Sequence, residues 1–163
     1  MRFLLDVMLG KLATYLRMCG HDAAYALDRG DATDGEEEGT GNGEERTGIE
    51  DDGTLLALAR EEGRRLVTRD ADLAARADDA ILVSGTDVDE QLRELRAAGV
   101  ALSLDRPKRC SRCNGRVEPV EGGETPGYAP DPGERRVWRC RACDQHYWKG
   151  SHWADVRERL ENV

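Results

Sequence analysis

Apolar positions fall along the first hundred residues in two alternating rhythms. "RFLLD" is a short apolar run closed by Asp6 and predicts a strand. In "MLGKLATYLRMCG", Leu9, Leu12, Ala13 and Leu16 recur at i, i+3, i+4 and i+7 before Gly20 ends the pattern, which predicts a helix. "DAAYAL" is a weaker strand candidate. After a polar stretch the order resumes at Asp52, an expected N-cap for the helix "GTLLALAREEG", whose Leu55, Leu56 and Ala59 form a stripe closed by Gly63. Then come the strand "RLVT", the short helix "DLAARA", the strand "AILVS", the helix "DVDEQLRELRAAG" and a last strand "VALSL". Strands alternating with helices predict a parallel sheet covered on both faces, so the fold class is α/β.

The polar stretch changes the picture of charge. Residues 28–51 hold ten acids against two arginines, a net −8, while the whole chain of 163 residues carries −9. With almost no apolar residues this stretch cannot offset its ordering entropy, and it reads as a flexible acidic insertion. From Arg106 onward twelve basic residues face nine acidic ones, so the tail is mildly basic. Lys11, Lys108 and Lys149 are the only lysines, and this acidic, arginine-using composition is similar to that of proteins from salt-loving archaea. With 39% hydrophobic residues the chain supports one main domain, 1–104, and a small appendage, 105–163, joined through "DRPKR". No apolar run approaches the roughly 20 residues of a membrane span, so a soluble, cytoplasmic protein with no membrane partner is expected.

The appendage carries the strongest motif. Cys110 and Cys113, then Cys140 and Cys143, form two CxxC pairs separated by 26 residues. Four thiolates from two such turns close a tetrahedral site, which makes zinc the expected ion and its role structural. Redox dithiols or disulfides are the competing explanation. The intervening segment reads as two strands joined by a Gly/Pro-rich loop, the layout of a zinc ribbon. Cys19 is left over and reads as a small buried apolar residue. All three tryptophans, Trp138, Trp148 and Trp153, fall in this part, interleaved with His146, Lys149 and His152. They are candidates to stack unpaired bases beside cations that meet phosphate, or else they pack a module poor in other core residues.

Acids fall where parallel sheets keep their functional groups, at the carboxyl ends of strands. Asp6 ends the first strand, Asp70 ends "RLVT", Asp72 lies two residues on, and Asp52 opens the intervening helix. Each has a plain explanation as a cap or turn residue. Together they form a candidate cluster that would need a cation to stay ionised, and Mg²⁺ or Mn²⁺ suits oxygen ligands and phosphate chemistry.

"FLLDVMLGKLATYLRMCGHD", "DGTLLALAREEGRRLVTRDADL", the later "EQL" and "RCSRCN…CRACDQHYWKGSHW" together resemble the PIN-like ribonuclease family with a fused zinc ribbon, named for the C-terminal domain of the nematode Mut-seven exonuclease. The resemblance spans nearly the whole chain outside the acidic insertion. It implies a PIN-like three-layer α/β/α fold and divalent-metal-dependent cleavage of RNA. It places Asp6, Asp52 and Asp70 at the metal-binding positions, with Asp51 leaving that register open by one residue. Asp72 matches the second acid of a T-x-D-x-D pattern, and Arg17 and Gln91 fall on further motif positions. Lys11 and Arg17 are expected on the exposed side of the first helix and Arg69 beside the acids; with Trp148 and Lys149 these are the candidate RNA contacts. RNA is the expected partner, and a homodimer is left open. The rivals are a non-catalytic RNA-binding or ribosome-associated module, a toxin restrained by an antitoxin, and a phosphatase or phospho-acceptor domain, which lacks its usual motifs here.

Overall fold

In the computed structural model the described residues are 1–28, 49 and 51–163, so most of the expected acidic insertion lies outside them. Strands and helices alternate as β1 (Arg2–Leu5), α1 (Gly10–Met18), β2 (Asp22–Tyr25), α2 (Asp52–Glu61), β3 (Arg65–Thr68), α3 (Ala71–Arg76), β4 (Ala80–Leu82) and α4 (Val88–Ala97). The four strands make one parallel sheet in the order β2-β1-β3-β4.

Side-chain alternation along β1 divides the interior. Phe3 and Leu5 point to a cluster containing Leu12 and Leu16 of α1 and Leu92 and Leu95 of α4, whereas Leu4 points the other way, to Leu55 of α2 and Leu73 of α3. Helices therefore cover both faces, and the α/β class expected from the alternation is what the chain adopts. Each of these fully buried leucines contributes about 1.5–3 kcal/mol by leaving water.

Two boundaries differ from the sequence expectation. The segment 100–104 is not a strand: Val100 N donates to Leu95 O at 3.0 Å and Ala101 O pairs with the His21 ring at 2.7 Å. Val100 and Leu102 are still buried in the core, which is why the stretch looked strand-like. The N-cap of α2 is Asp51 and not Asp52: its backbone is extended and its side chain accepts from Thr54 N at 2.7 Å and Thr54 Oγ1 at 2.9 Å. These bonds hold the exposed Asp51 carboxyl below its usual pKa.

The cysteine-bearing part forms a second, antiparallel sheet of β5 (Val117–Pro119), β6 (Val137–Cys140) and β7 (His146–Trp148), followed by α5 (Ser151–Asn162). α5 returns to the main domain: Val156 and Leu160 belong to the same core cluster as Phe3 and Leu5, and Arg96 donates to the carbonyls of Leu160 and Val163.

The ribbon docks along β2, an edge strand of the parallel sheet. Asn114, in a left-handed conformation at φ 62°, accepts from the edge N–H of Ala23 at 3.1 Å and donates to Asp22 Oδ1 at 2.7 Å. The knuckle thereby covers backbone that would otherwise invite another strand. Asp22 also pairs with Arg64 at 2.8 Å from the main domain and Arg109 at 3.3 Å from the linker. Burial works against its ionisation, but the bonds from Arg64 and Asn114 and the nearby positive charges bring its pKa down to about 2. A depressed carboxylate stabilises the fold above its unfolded pKa of about 4, and that contribution is lost as pH falls from there through about 2. Acid titration of stability is expected to show a loss of about 2–3 kcal/mol over this window that Asp22→Asn removes; identical acid profiles would contradict it.

Candidate active site and metal centre

The parallel register sets Leu5 against Val67, so the residues just beyond β1 and β3 emerge side by side at the carboxyl edge. Asp6 N donates to Val67 O at 3.0 Å, fixing the backbone there. Thr68, wholly buried, joins the two acids that end these strands: its hydroxyl donates to Asp6 Oδ2 at 2.7 Å and accepts from Asp70 N at 3.0 Å. Asp6 Oδ1 accepts from Val7 N at 2.7 Å, so its carboxylate is held in one orientation. Asp70 caps α3, its Oδ1 accepting from Asp72 N at 2.8 Å and Leu73 N at 3.0 Å. Asp72 is exposed in the first turn of that helix. Asp52, the first residue of α2, pairs with Arg76 of α3 at 3.1 Å.

Among the described residues, no three of these acids bring carboxylate oxygens within 4.8 Å of one another; the one group of three or more ligating side chains that does so is the four cysteines. The structure thus links the Asp6 carboxylate to the Asp70 backbone through Thr68, and it engages the Asp52 carboxylate with Arg76. Carboxylate oxygens at a strand edge are the donor chemistry that Mg²⁺ and Mn²⁺ accept.

Further side chains complete the edge. Tyr25 ends β2, and a Cβ on Gly10 would lie 3.1 Å from its ring, so the glycine lets the tyrosine lie against the start of α1. Burial raises the Tyr25 pKa, and the charges of Asp28 and Asp6 add to the rise, so the hydroxyl stays a donor. Met8, two residues past Asp6, is 76% exposed and adopts φ 71°, a costly conformation for a non-glycine residue. Beyond β4, Glu94 accepts from Ser84 N and Oγ and from Gly85 N, while Gln91 Nε2 donates to Gly85 O at 3.0 Å. Burial opposes ionisation of Glu94, but these donors and the charge of Arg69 hold its pKa below the usual range. Thr68 was legible as the threonine of "TRDAD"; Tyr25 and Met8 carry no signal that one sequence exposes.

Lys11 is exposed, as expected, and Arg69, between β3 and Asp70, is exposed too. Arg17 is not. It is 3% exposed and its guanidinium is spent: Nε donates to Ala23 O at 2.8 Å, one NH2 group to the Ser111 and Arg112 carbonyls at 3.2 Å each, and the other to Asp28 at 2.9 Å. The expectation that Arg17 offers itself to phosphate is therefore corrected: it clamps the first cysteine knuckle to β2. Trp138 and Trp153 are buried and pack the ribbon and its helix, while Trp148 is half-buried and Lys149 is exposed, 5.7 Å over the Trp153 ring.

In the ribbon, Cys110 and Cys143 Sγ lie 3.6 Å apart, and Cys113 lies 3.5 Å from both Cys140 and Cys143. Four sulfurs about 2.3 Å from a tetrahedral zinc would be separated by roughly 3.8 Å, so the cluster fits that ion. All four thiols are free, and their spacing is well beyond a disulfide bond of about 2.05 Å. Burial and neighbouring thiols push Cys113 and Cys143 up. At Cys110 burial acts in the same sense, but the Tyr147 hydroxyl at 2.9 Å and backbone donors outweigh it and bring the pKa down to about 7. Thiols that resist ionising together are ones a cation would complete.

Fold and sites together define an α/β protein of three layers with acids at its carboxyl edge and a four-cysteine ribbon that fits zinc. The family model described as the Mut7-C RNAse domain matches residues 1–160, essentially the whole chain, and the chain belongs to that family. Its membership implies ribonuclease activity, with RNA as substrate. No curated protein and no solved structure matches the chain. No helix among the described residues is long and apolar enough to cross a membrane.

Proposed function

We propose that the protein is a divalent-metal-dependent endoribonuclease acting on single-stranded RNA in the cytoplasm, where thiolates persist. The observation that carries this reading is the Asp6–Thr68–Asp70 chain at the carboxyl edge of two adjoining parallel strands in a ribonuclease-family domain. Asp6, Asp70 and, after exchanging Arg76, Asp52 would hold Mg²⁺ or Mn²⁺. Such an ion supplies a water of lowered pKa and neutralises charge on the phosphodiester. The chain's own groups do the positioning. Thr68 fixes the Asp6 carboxylate, Asp72 stands two residues from Asp70 in the first turn of α3 where it would orient a water, and the Tyr25 hydroxyl would donate to a phosphate oxygen. Lys11, in the first turn of α1, and Arg69 add positive charge where the phosphate would lie. Trp148 and Lys149 would offer RNA a further contact on the ribbon, whose four cysteines would hold a structural zinc.

Incubating zinc-loaded protein with labelled single-stranded RNA, with duplex RNA and with Mg²⁺ or Mn²⁺ added or omitted tests the reading. Internal cleavage of the single strand that needs the added ion is expected. RNA binding without cleavage under every condition would favour the non-catalytic module, in which the acids serve as the caps that Asp51 and Asp70 also are.

A further inference from the structure

Several cationic side chains of this acidic chain line neighbouring hollows on the ribbon. Two hollows of about 780 and 460 Å³ open there, and they share Arg106, Pro119 and Trp138 as a common wall, so they form one furrow. Seven cationic side chains against four acidic ones line it, on a protein whose net charge is −9. Arg106, Arg116, Arg135 and Arg136 are exposed and have no ion-pair partner among the described residues, whereas most other arginines of the ribbon are committed: Arg109 to Asp22, and Arg139 and Arg141 to Glu118. Lys149 stands at the rim, and Trp138, nearly buried, forms the floor. Even with Asp105, Glu118, Glu121 and Glu134 on the same walls, the excess of cations favours an anion lying between them.

The furrow is separate from the acidic edge. It reaches Gly20, which follows α1 and precedes β2, at the amino end of the strands; Asp6 and Asp70 lie beyond their carboxyl ends. We infer that the furrow lined by Arg106, Arg116, Arg135, Arg136 and Lys149 binds the sugar–phosphate backbone of single-stranded RNA at a distance from the cleavage site. The inference rests on the ribonuclease reading for the identity of the polyanion, and it adds to that reading a second, electrostatic grip located away from the chemistry. Guanidinium groups suit phosphate because their planar donors pair with two oxygens at once, and the absence of an exposed aromatic floor makes the contact one to backbone and not to base. The furrow therefore raises affinity for a long strand irrespective of its sequence.

Backbone neutralisation has a measurable signature. Each phosphate contact on a single strand contributes about −0.7 to the slope of log affinity against log salt. The test is fluorescence anisotropy of labelled oligo-uridine bound to zinc-loaded protein without Mg²⁺ or Mn²⁺, across a salt series. Joint substitution of Arg106→Gln, Arg135→Gln and Arg136→Gln is expected to weaken binding about tenfold or more near 0.1 M salt and to flatten the slope by about 2. A control with the same charge change, Arg60→Gln, Arg93→Gln and Arg157→Gln, removes cations that line neither hollow and is expected to leave the slope unchanged, because a cation that meets no phosphate displaces no counterion on binding. Unaltered zinc content and melting temperature show that the exposed substitutions spare the fold. Equal slopes for the furrow variant and wild type would overturn the inference, and so would displacement of RNA by polyglutamate as effectively as by unlabelled oligo-uridine. Because no catalytic ion is present, the outcome is independent of the nuclease reading: altered slopes in a protein that never cleaves uphold the furrow alone, and cleavage with unaltered slopes upholds the nuclease alone.

Discussion

Asp6→Asn is expected to lower RNA cleavage by about 100-fold or more while leaving the protein folded. The argument starts from how Asp6 is held. Its two oxygens accept from Val7 N and from the Thr68 hydroxyl, both at 2.7 Å, and an asparagine of the same shape retains the first bond. The Thr68 hydroxyl can turn to accept from the new amide, but its buried hydrogen then loses the Asp6 acceptor, so the stability change is about 1–2 kcal/mol. What the substitution removes is a negative charge at the point where an ion would be held. Even groups that merely support a metal ligand are worth about 10- to 100-fold in affinity or activity, so a ligand itself is worth at least the upper part of that range. Single-turnover rates with saturating Mn²⁺, alongside the melting temperature, separate the two effects. Equal rates for the variant and the parent would remove Asp6 from the machinery.

Arg17→Ala is expected to be the most damaging single change to the architecture, lowering stability by about 3–5 kcal/mol and loosening the ribbon. Arg17 is almost fully enclosed and satisfies three carbonyls, those of Ala23, Ser111 and Arg112, from one side chain. Its pairing with Asp28 adds little, because that carboxylate is 43% exposed and screened. Most of the loss comes from carbonyls left without a donor and from the space the side chain filled. Arg17→Lys is expected to rescue little, since a single ammonium cannot reach a strand and a knuckle together. Urea unfolding followed by tryptophan fluorescence reports the change well, because Trp138, Trp148 and Trp153 all lie in β6, β7 and α5. An unaltered midpoint would show that the clamp carries no weight.

What the sequence disclosed and what it concealed divide along physical lines. Periodicity located β1, α1, β3 and α4 because a strand or helix that buries one face must repeat its apolar residues, and Phe3, Leu5, Leu12 and Leu95 do so. The cysteine pairs were equally plain, since their local spacing sets ligand geometry. Segment 100–104 misled because Val100 and Leu102 are buried as strand residues are, while the carbonyl between them is taken by His21. Asp51 and Asp52 differ by one residue, and only the backbone turn at α2 decides which caps it and which meets Arg76.

Arg17 could have been found from periodicity. Six residues at about 100° each put it some 120° from Lys11, toward the Ala13 side of the helix that is buried. No pattern in one chain, by contrast, signals the positive φ of Met8 or the meeting of Tyr25 with Gly10, which depend on how β2 and α1 approach each other. Nor does composition show that four unpaired arginines of the basic tail line one furrow, because that depends on which of the others Asp22 and Glu118 consume.

The most direct test of the account is anomalous scattering from crystals of the zinc-loaded protein soaked in Mn²⁺. The expected result is a manganese peak bound by Asp6 and Asp70 at the ends of β1 and β3, with Asp52 drawn away from Arg76, and its absence from crystals of Asp6→Asn. Manganese bound elsewhere, with that edge empty and Asp52 still paired to Arg76, would contradict it.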